Sequence, residues 1–201
     1  MVNQAIQVAR AELVTRHGEP QGDDAGFAVM GYGKLGGIEL GYGSDLDLVF
    51  VYDGGRGTTL GPKVIENTRF FTRLAQRVVH VLSTNVAQGR LYEVDLRLRP
   101  DGGSGLPCVN LGSFQKYQHE SAWTWEHQAL VRARPVAGSA DLCHQLEALR
   151  LEILRQPRSD MGLRDAVVSM RMRMFGGAES RLDAGPDEFD IKRDPGGIVD
   201  I

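Results

Sequence analysis

The sequence predicts an α+β fold in which a mixed sheet with helices is followed by a helical segment, and two observations support this prediction. Short apolar runs bounded by glycines and polar residues are typical of buried strands, and they occur at 27–30, 46–53 and 89–100. Longer segments between and after these runs have apolar residues every three or four positions, which indicates one buried helical face. The strands lie in the first half of the chain, so the second half is predicted to be mostly helical.

The helical periodicity is clearest over residues 62–84, where Pro62 suits the first turn of a helix. The other predicted helices are at 3–16, 110–121, 123–131, 139–155 and 162–175. Because strands give way to helices near Gly138, we expect one domain over residues 1–137 and a helical extension over residues 138–201. The chain ends on the apolar pattern of DPGGIVDI, and we therefore expect the extension to be truncated.

The composition argues against several classes of protein. The 201 residues include 42% hydrophobic and 24% charged residues, which is ordinary for a globular domain large enough to bury a core. A net charge of −3 without a basic stripe disfavours a nucleic-acid partner, and no apolar run approaches the roughly 18 residues of a membrane helix. The two cysteines, Cys108 and Cys143, lie far apart and indicate no disulfide framework, so we expect a cytoplasmic protein.

Two aspartates open the second apolar run, in the segment YGSDLDLVFVYD at residues 42–53. Since side chains alternate along a strand, Asp45 and Asp47 are predicted to share one face, with their Cα atoms roughly 6.6 Å apart. Both carboxylates can then reach one Mg²⁺ ion or a pair of metal ions. An isolated D-x-D motif is common and is more often a solvated strand end or a salt-bridged pair, so this interpretation needs a second observation.

The run at 89–100 provides that second observation, because it alternates in the same way. Asp95, Arg97 and Arg99 are predicted to share one face with Glu93. If this strand is the neighbour of the D-x-D strand, Asp95 joins the first two aspartates, and the arginines lie where a triphosphate needs cations. Glu93 is either a further metal ligand or the ion-pair partner of Arg97.

The glycine-rich segment GYGKLGG at residues 31–37 fits the G-x-G-x-x-G pattern of dinucleotide-binding folds. That fold needs a full helix before the next strand, but only the eight residues GIELGYGS separate the last glycines from the D-x-D motif. A Walker loop is also excluded, because no G-K-[ST] closes the segment. The order strand, Gly-Gly, short turn and D-x-D strand instead matches nucleotidyltransferases of the polymerase-β type, which place a third carboxylate on a later strand.

In that arrangement the glycines let the backbone approach phosphates. Gly36 and Gly37 are the matching pair, and their N–H groups can point at the anion. Lys34 is either a phosphate contact or a solvated loop lysine. The predicted nucleotide-binding residues are Gly36, Gly37, Ser44, Lys34, Arg97 and Arg99.

Four blocks closely resemble the glutamine synthetase adenylyltransferase and adenylyl-removing enzyme family, and together they cover most of the chain. The blocks are GYGKLGGIELGYGSDLDLVFVYD, LYEVDLRLRPDGGSG, AWTWEHQALVRARPVAG and FDIKRDPGGIVDI. The resemblance implies a large bacterial enzyme with two related nucleotidyltransferase domains. One domain attaches AMP to a tyrosine of glutamine synthetase, and the other removes it by phosphorolysis. The sequences GYGSDLDL and WTWEHQALVRARP are more similar to the C-terminal, adenylylating domain than to the other domain.

The resemblance implies that Asp45, Asp47 and Asp95 are the catalytic, metal-binding carboxylates of a nucleotidyltransferase domain. Mg²⁺ is then the cofactor and ATP the substrate. A tyrosine oxygen attacks the α-phosphorus, Asp95 helps to take the phenol proton, and Arg97 or Arg99 steadies the leaving pyrophosphate. Glutamine synthetase is the expected protein substrate, and the PII signal-transduction protein is the expected regulator of the full-length family member.

Several alternatives stay open at this point. The chain could be the deadenylylating domain of the same family, or a non-catalytic nucleotide-binding regulatory module. It could also be a nucleotidyltransferase that acts on RNA or on an antibiotic, although the missing basic stripe disfavours RNA.

The block WTWEHQALVRARP at residues 123–135 is also open to two interpretations. Its apolar residues can form simple core: Trp123, Trp125, Leu130 and Val131. Its charged residues can instead line the nucleotide cleft or the protein-substrate surface: Glu126, Arg132 and Arg134.

Overall fold

The structure is a computed structural model. It describes residues 1–22, 26–54, 56–86, 89–100, 102, 105–176, 191 and 196. The chain forms two compact units, Met1–Pro157 and Arg158–Ile201. Apart from Ile191 and Gly196, the C-terminal block FDIKRDPGGIVDI lies outside the described residues, as does the pattern from which truncation was predicted.

A five-stranded mixed sheet forms the centre of the first unit. The described strands are β1 (Phe27–Gly31), β2 (Leu46–Tyr52), β3 (Asn85–Val86), β4 (Gly89–Arg90), β5 (Val94–Asp95), β6 (Cys108–Asn110) and β7 (Arg134–Gly138). Strand β1 lies between β2 and β7 and is antiparallel to both, whereas β5 and β6 pair in parallel with the other edge of β2. Strands β3 and β4 form a separate antiparallel ribbon.

Helices cover both faces of this sheet. The described helices are α1 (Val2–His17), α2 (Gly33–Gly36), α3 (Asn67–Leu82), α4 (Leu111–Glu120), α5 (Thr124–Leu130), α6 (Ala140–Arg155) and α7 (Asp160–Gly176). One apolar cluster lies between the sheet and α1 with α3, and a second lies between the sheet and α4, α5 and α6. The predicted α+β class is confirmed. None of the helices in the described part of the chain is long and apolar enough to span a membrane.

The alternation predicted for the D-x-D strand is confirmed within β2. Leu46, Leu48 and Phe50 belong to the cluster on the α1 side, whereas Val49 and Val51 belong to the cluster on the α4 side. Because β2 is buried on both faces, its register is fixed by packing: a shift of one residue would exchange the two sets of side chains. This register determines where the aspartate in the strand points.

The single strand predicted at 89–100 is wrong. Only β4 and β5 within it are strands, and residues 97–100 form a turn. The alternation stops after Leu96: Tyr92, Val94 and Leu96 pack on the first cluster, but Leu98 packs on the second. The chain leaves β2 here, since β6 takes the remaining positions on the same edge of β2.

The start of one helix and the existence of two short strands also differ from the sequence prediction. Helix α3 begins at Asn67 and not near Pro62, because Thr59 N donates to Ile65 O and Asn67 N donates to Gly57 O, which closes a loop before the helix. The short strands β6 and β7 were not predicted. Strand β7 contains Pro135 and pairs only with β1, as expected for a proline at a sheet edge.

The position near Gly138 is the end of β7, and α6, which follows it, belongs to the first unit. Helix α6 buries Leu142, Leu146 and Ile153 in the second apolar cluster. The boundary between the two compact units therefore falls after Pro157. The division into a catalytic domain over 1–137 and an extension over 138–201 stays a prediction.

Replacement of Phe71 by alanine is expected to lower the free energy of unfolding by about 3–5 kcal/mol, as for other buried aromatic residues. Phe71 is fully buried, and its ring lies 5.0 Å from the ring of Tyr52 and 6.2 Å from that of Phe27. Urea unfolding measures the loss. The control is Leu60→Ala, since Leu60 is 70% exposed, and it should change stability by no more than about 0.5 kcal/mol. Equal effects of the two substitutions would contradict the assigned core.

Candidate active site

Asp47 and Asp95 are direct partners in the parallel pairing of β2 with β5. Leu46 N donates to Glu93 O at 2.8 Å and fixes this register. Paired residues on adjacent strands point to the same face, with the strands about 4.8 Å apart. The condition stated from the sequence, that the two strands are neighbours, is met by β2 and β5, and their pairing brings these two carboxylates side by side.

Asp45 lies just before β2 and is exposed. It lines a cavity beside the two strands together with Tyr42 and Glu93. Within the described residues, no group of three or more His, Cys, Asp or Glu side chains is close enough to hold a metal ion. The metal-binding roles of Asp45, Asp47 and Asp95 therefore stay a prediction.

Arg97 is the cation of this cluster. Its backbone N–H donates to Asp95 Oδ1 at 2.8 Å, and its guanidinium donates to Asp95 Oδ2 at 2.5 and 2.8 Å. These bonds hold the pKa of the Asp95 carboxyl below its usual range, against the opposing effect of partial burial. The pKa of Arg97 is raised chiefly by Asp95, and also by the charges of Asp47 and Asp45. The guanidinium therefore lies in the field of all three carboxylates, and its side chain remains 83% exposed.

Arg99 was predicted to share the face of Arg97, but it lies in the turn after β5. Its Nη1 donates to Leu96 O at 2.6 Å, and its Nε and Nη2 donate to Gly105 O at 3.2 and 3.1 Å. Arg99 therefore stabilises the loop between β5 and β6. A nucleotide contact by Arg99 stays a prediction.

The N–H groups of Gly36 and Gly37 do not point at a phosphate site. Gly36 N donates to Tyr32 O and Gly37 N donates to Gly33 O, both at 2.9 Å, so both bonds close the short helix α2. These N–H groups are therefore taken up within α2 in this structure, and nucleotide binding by Gly36 and Gly37 stays a prediction. The reason is local: the four residues of α2 are enough to form one helical turn, and that turn takes both donors.

Two glycines of this segment are required by close contacts. A Cβ atom on Gly36 would lie 1.9 Å from Arg132 O, so glycine lets the backbone before β7 pass against α2. Gly33 has a φ of +52°, and a Cβ atom there would lie 2.5 Å from Asp47 Oδ2. The carboxylate of Asp47 therefore lies against the bare backbone of Gly33. The sequence analysis missed Gly33, since only the register of β2 identifies which glycine faces the aspartate.

Arg132 and Arg134 hold the glycine-rich segment in place. Arg134 Nε donates to Gly36 O at 3.0 Å, and its Nη2 donates to Leu35 O at 3.4 Å. These carbonyls lie at the C-terminal end of α2, where a cation is favourable. Arg132 forms an ion pair with Glu39, and a Cβ atom on Gly37 would lie 3.0 Å from its guanidinium. These arginines thus support α2 from a segment far along the chain.

The other residues of the WTWEHQALVRARP block have structural roles. Glu126 is buried, and it accepts hydrogen bonds from Trp123 N at 2.9 Å and from the Tyr117 hydroxyl at 2.8 Å, so it caps α5. Leu130 is core as predicted, but Trp123 is 54% and Val131 62% exposed, and the core prediction is wrong for these two.

Ser44 and Lys34 complete the predicted set. The Ser44 hydroxyl accepts a hydrogen bond from Gly41 N at 3.2 Å and closes the turn that presents Tyr42. Lys34 is exposed at the surface of α2, and its two interpretations stay open.

Tyr32, which precedes α2, is buried. Burial and then the charge of Glu126 raise its pKa well above the usual range, so its phenol stays protonated at neutral pH.

Gly36→Ala should lower the free energy of unfolding by about 1–3 kcal/mol, because the added methyl group meets backbone that cannot rotate away. The matched control is Gly41→Ala, whose Cβ atom would meet nothing closer than Ser44 Oγ at 3.7 Å and should change stability by no more than about 0.5 kcal/mol. Urea unfolding of both variants checks the prediction. An unchanged Gly36→Ala protein would show that the close contact with Arg132 is wrong.

Known proteins are similar to this chain along its whole length. A sequence model of the family described as glutamate-ammonia ligase adenylyltransferase matches residues 1–149. Three relatives, each described as a bifunctional glutamine synthetase adenylyltransferase/adenylyl-removing enzyme, align with 100% of the chain. They are the proteins of Pseudomonas putida (47% identical), Thioalkalivibrio sulfidiphilus (49%) and Hahella chejuensis (49%).

The chain covers 22%, 21% and 22% of these three relatives, respectively, so it spans about a fifth of their length. The family match over residues 1–149, together with close to half identity along the whole chain, shows that the protein belongs to the glutamate-ammonia ligase adenylyltransferase family.

Proposed function

We propose that the chain is a nucleotidyltransferase domain that transfers AMP from ATP to a tyrosine of glutamine synthetase. The observation behind this proposal is the side-by-side placement of Asp47 and Asp95 with Arg97 bound to the second carboxylate. Membership of the family and the relatives' names support the class of reaction and the protein substrate. A fold of the polymerase-β type belongs to the same proposal, supported by the order β1, glycine-rich α2, D-x-D strand and a third carboxylate on the adjacent β5.

The donor set is suited to Mg²⁺, which prefers carboxylate oxygens. Asp47 and Asp95 point to the same face, and the Asp47 carboxylate lies where a Cβ atom on residue 33 would clash with it. Asp45, Asp47 and Asp95 would hold the ion, and they would have to come closer together to do so, since no three such side chains of the described residues are close enough in this structure. When bound, Mg²⁺ would neutralise charge on the attacking and leaving oxygens.

The residues of the chain then position the reactants. The tyrosine oxygen forms a bond to the α-phosphorus, the bond from that phosphorus to the bridging oxygen breaks, and pyrophosphate leaves with the bonding electrons. We assign phosphate binding to Arg97, because it is an exposed cation beside the carboxylates. A bidentate guanidinium is well suited to that role.

Asp95 is a weak base in the state that the structure describes. A phenol has an ordinary pKa near 10, and the bonds from Arg97 hold the pKa of Asp95 below the usual carboxyl range. Transfer of the phenol proton to Asp95 is then strongly uphill, so Asp95 in this state orients the phenol by accepting a hydrogen bond. A role in proton transfer requires Arg97 to move from Asp95 to a phosphate.

The assignment to the adenylylating and not the adenylyl-removing activity rests on the GYGSDLDL and WTWEHQALVRARP blocks, and the relatives' names include both activities. Regulation by PII stays an expectation for the full-length family member. A cytoplasmic location belongs to the same proposal, supported by two free cysteines, Cys108 and Cys143.

Incubation with glutamine synthetase, Mg²⁺ and ATP labelled at either the α- or the γ-phosphate tests the reaction. The α-label should appear on glutamine synthetase, and the γ-label should leave as pyrophosphate. Transfer of the γ-label would indicate a kinase, and no label on the protein would contradict adenylylation. Phosphate-dependent release of ADP from modified glutamine synthetase, without forward transfer, would assign the chain to the adenylyl-removing activity.

Asp47→Asn is expected to reduce α-label transfer at least 100-fold, because the substitution removes one charge from the proposed metal site while preserving the shape of the side chain. The control is Asp141→Asn, which removes an exposed carboxylate in the first turn of α6 and should transfer label at the normal rate. Thermal unfolding shows whether both variants remain folded. Near-normal transfer by folded Asp47→Asn would rule out the assigned site.

A further inference from the structure

A second group of charged side chains lines a cavity of about 270 Å³ between α1 and α3. The cavity shares no residue with the proposed nucleotide and metal site. It is smaller than the usual range of pockets for cofactors and drug-sized molecules, so it is suited to a small ligand. Its charged and titratable lining residues are Glu12, Arg16, His17, Arg73, Arg77 and His80.

His17 is the buried residue of this cavity, and both of its ring nitrogens have defined partners. Nδ1 lies 2.7 Å from Lys63 O, and Nε2 lies 2.9 Å from Arg73 Nη1. Because a carbonyl can only accept and a guanidinium can only donate, Nδ1 carries the proton and Nε2 accepts. His17 is therefore a neutral imidazole in this structure, and it holds Arg73 without neutralising the charge of the guanidinium.

Backbone contacts fix the end of α1 that carries His17. A Cβ atom on Gly61 would lie 2.2 Å from the carbonyl carbon of His17, and Lys63 N donates to Arg16 O at 3.3 Å. The loop before α3 is thus packed directly against the last turn of α1. The imidazole has a defined position, and through its bond it gives the Arg73 guanidinium one as well. A cation that is held in place before binding loses less conformational entropy when a ligand arrives.

The cavity carries an excess of positive charge in a chain whose net charge is −3. Glu12 is the one carboxylate among the described lining residues, and it is bonded to Arg77 at 2.7 Å. Arg16 and Arg73 form no ion pair with any carboxylate of the described residues. With the histidines counted as neutral, three arginines and one glutamate leave a charge of +2. Such a charge matches a doubly charged oxyanion better than a single carboxylate.

We propose that this cavity binds a small, doubly charged oxyanion such as phosphate, with Arg73 and Arg16 as its main contacts and His17 as the residue that positions Arg73. The bond to His17 uses Nη1 of Arg73 and leaves the edge formed by Nε and Nη2 without a partner among the described residues. Arg97 binds the Asp95 carboxylate with that same edge of its own guanidinium. This edge offers two donors to an anion, which suits phosphate.

Calorimetric titration with inorganic phosphate, at an ionic strength held constant with NaCl, tests the inference. Arg73→Gln should weaken phosphate binding at least about tenfold, because a charged hydrogen-bond donor is lost. Arg16→Gln should also weaken it, and this exposed position decides the outcome if thermal unfolding shows that Arg73→Gln is not folded. The matched control is Arg10→Gln, which removes the same charge from α1 outside the cavity, where Arg10 is paired with Glu19 at 2.6 Å.

Arg10→Gln should change the affinity for phosphate by no more than about twofold, since salt screens distant charges. Equal losses in the control and the cavity variants would indicate general attraction to positive charge and would overturn the inference. Absence of phosphate binding by the folded wild-type chain would overturn it too. Acetate, with one charge, should bind more weakly than phosphate, and equal binding of the two anions would contradict a site for a doubly charged oxyanion.

Two further measurements locate the bound anion. Arg97→Gln is titrated in parallel, and a loss of phosphate binding in this variant alone would place the anion at the carboxylates and overturn the inference. In nitrogen-detected NMR spectra of the imidazoles, phosphate should shift Nε2 of His17, which accepts from Arg73, and leave His127, bonded to Gln118 O at 2.9 Å, unchanged. An unchanged His17 signal at saturating phosphate would contradict the site. Neither measurement depends on label transfer, so a failure of the proposed function leaves this test intact.

Discussion

The two-residue pairing of β2 with β5 is the contact on which the candidate site depends. It sets Asp47 opposite Asp95, two like charges that would repel each other. Hydrophobic packing on one face of the sheet stabilises the pairing, because Leu46 is fully buried in the first apolar cluster and Val94 packs against that cluster. On the opposite face, the guanidinium of Arg97 binds the Asp95 carboxylate and offsets part of the repulsion. Hydrophobic burial on one face therefore holds the carboxylates together on the other.

The sequence predicted this part of the site because the information is local. Alternation identified the two faces of β2, and the same alternation made β5 its plausible neighbour. The end of the strand after Asp95 was not predictable in this way. The residues LRLRP continue the alternating pattern, but β6 takes the next positions on β2, and this competition for one edge depends on residues far along the chain. The same limit explains the unpredicted strands β6 and β7.

The glycine-rich segment shows the difference between finding a site and assigning its parts. The spacing of its glycines correctly placed the segment before the D-x-D strand. It did not show that the N–H groups of Gly36 and Gly37 are used within α2, that Gly36 is packed against Arg132, or that Gly33 faces Asp47. The first role is local to α2 and the last depends on the register of β2, whereas the packing of Gly36 depends on distant contacts, such as the bond from Arg134 to Gly36 at a separation of 98. The arginines that hold the segment were recognised only as possible cleft residues.

The separation of charge around the carboxylates has a consequence for the proposed reaction. Arg97 keeps Asp95 ionised and weakly basic as long as the two are bonded. A triphosphate that binds Arg97 competes for those bonds, and the pKa of Asp95 then rises because it loses its strongest stabilising contact. A nucleotide that displaces Arg97 would therefore free the Asp95 carboxylate oxygens for other partners, whether or not the acceptor is bound.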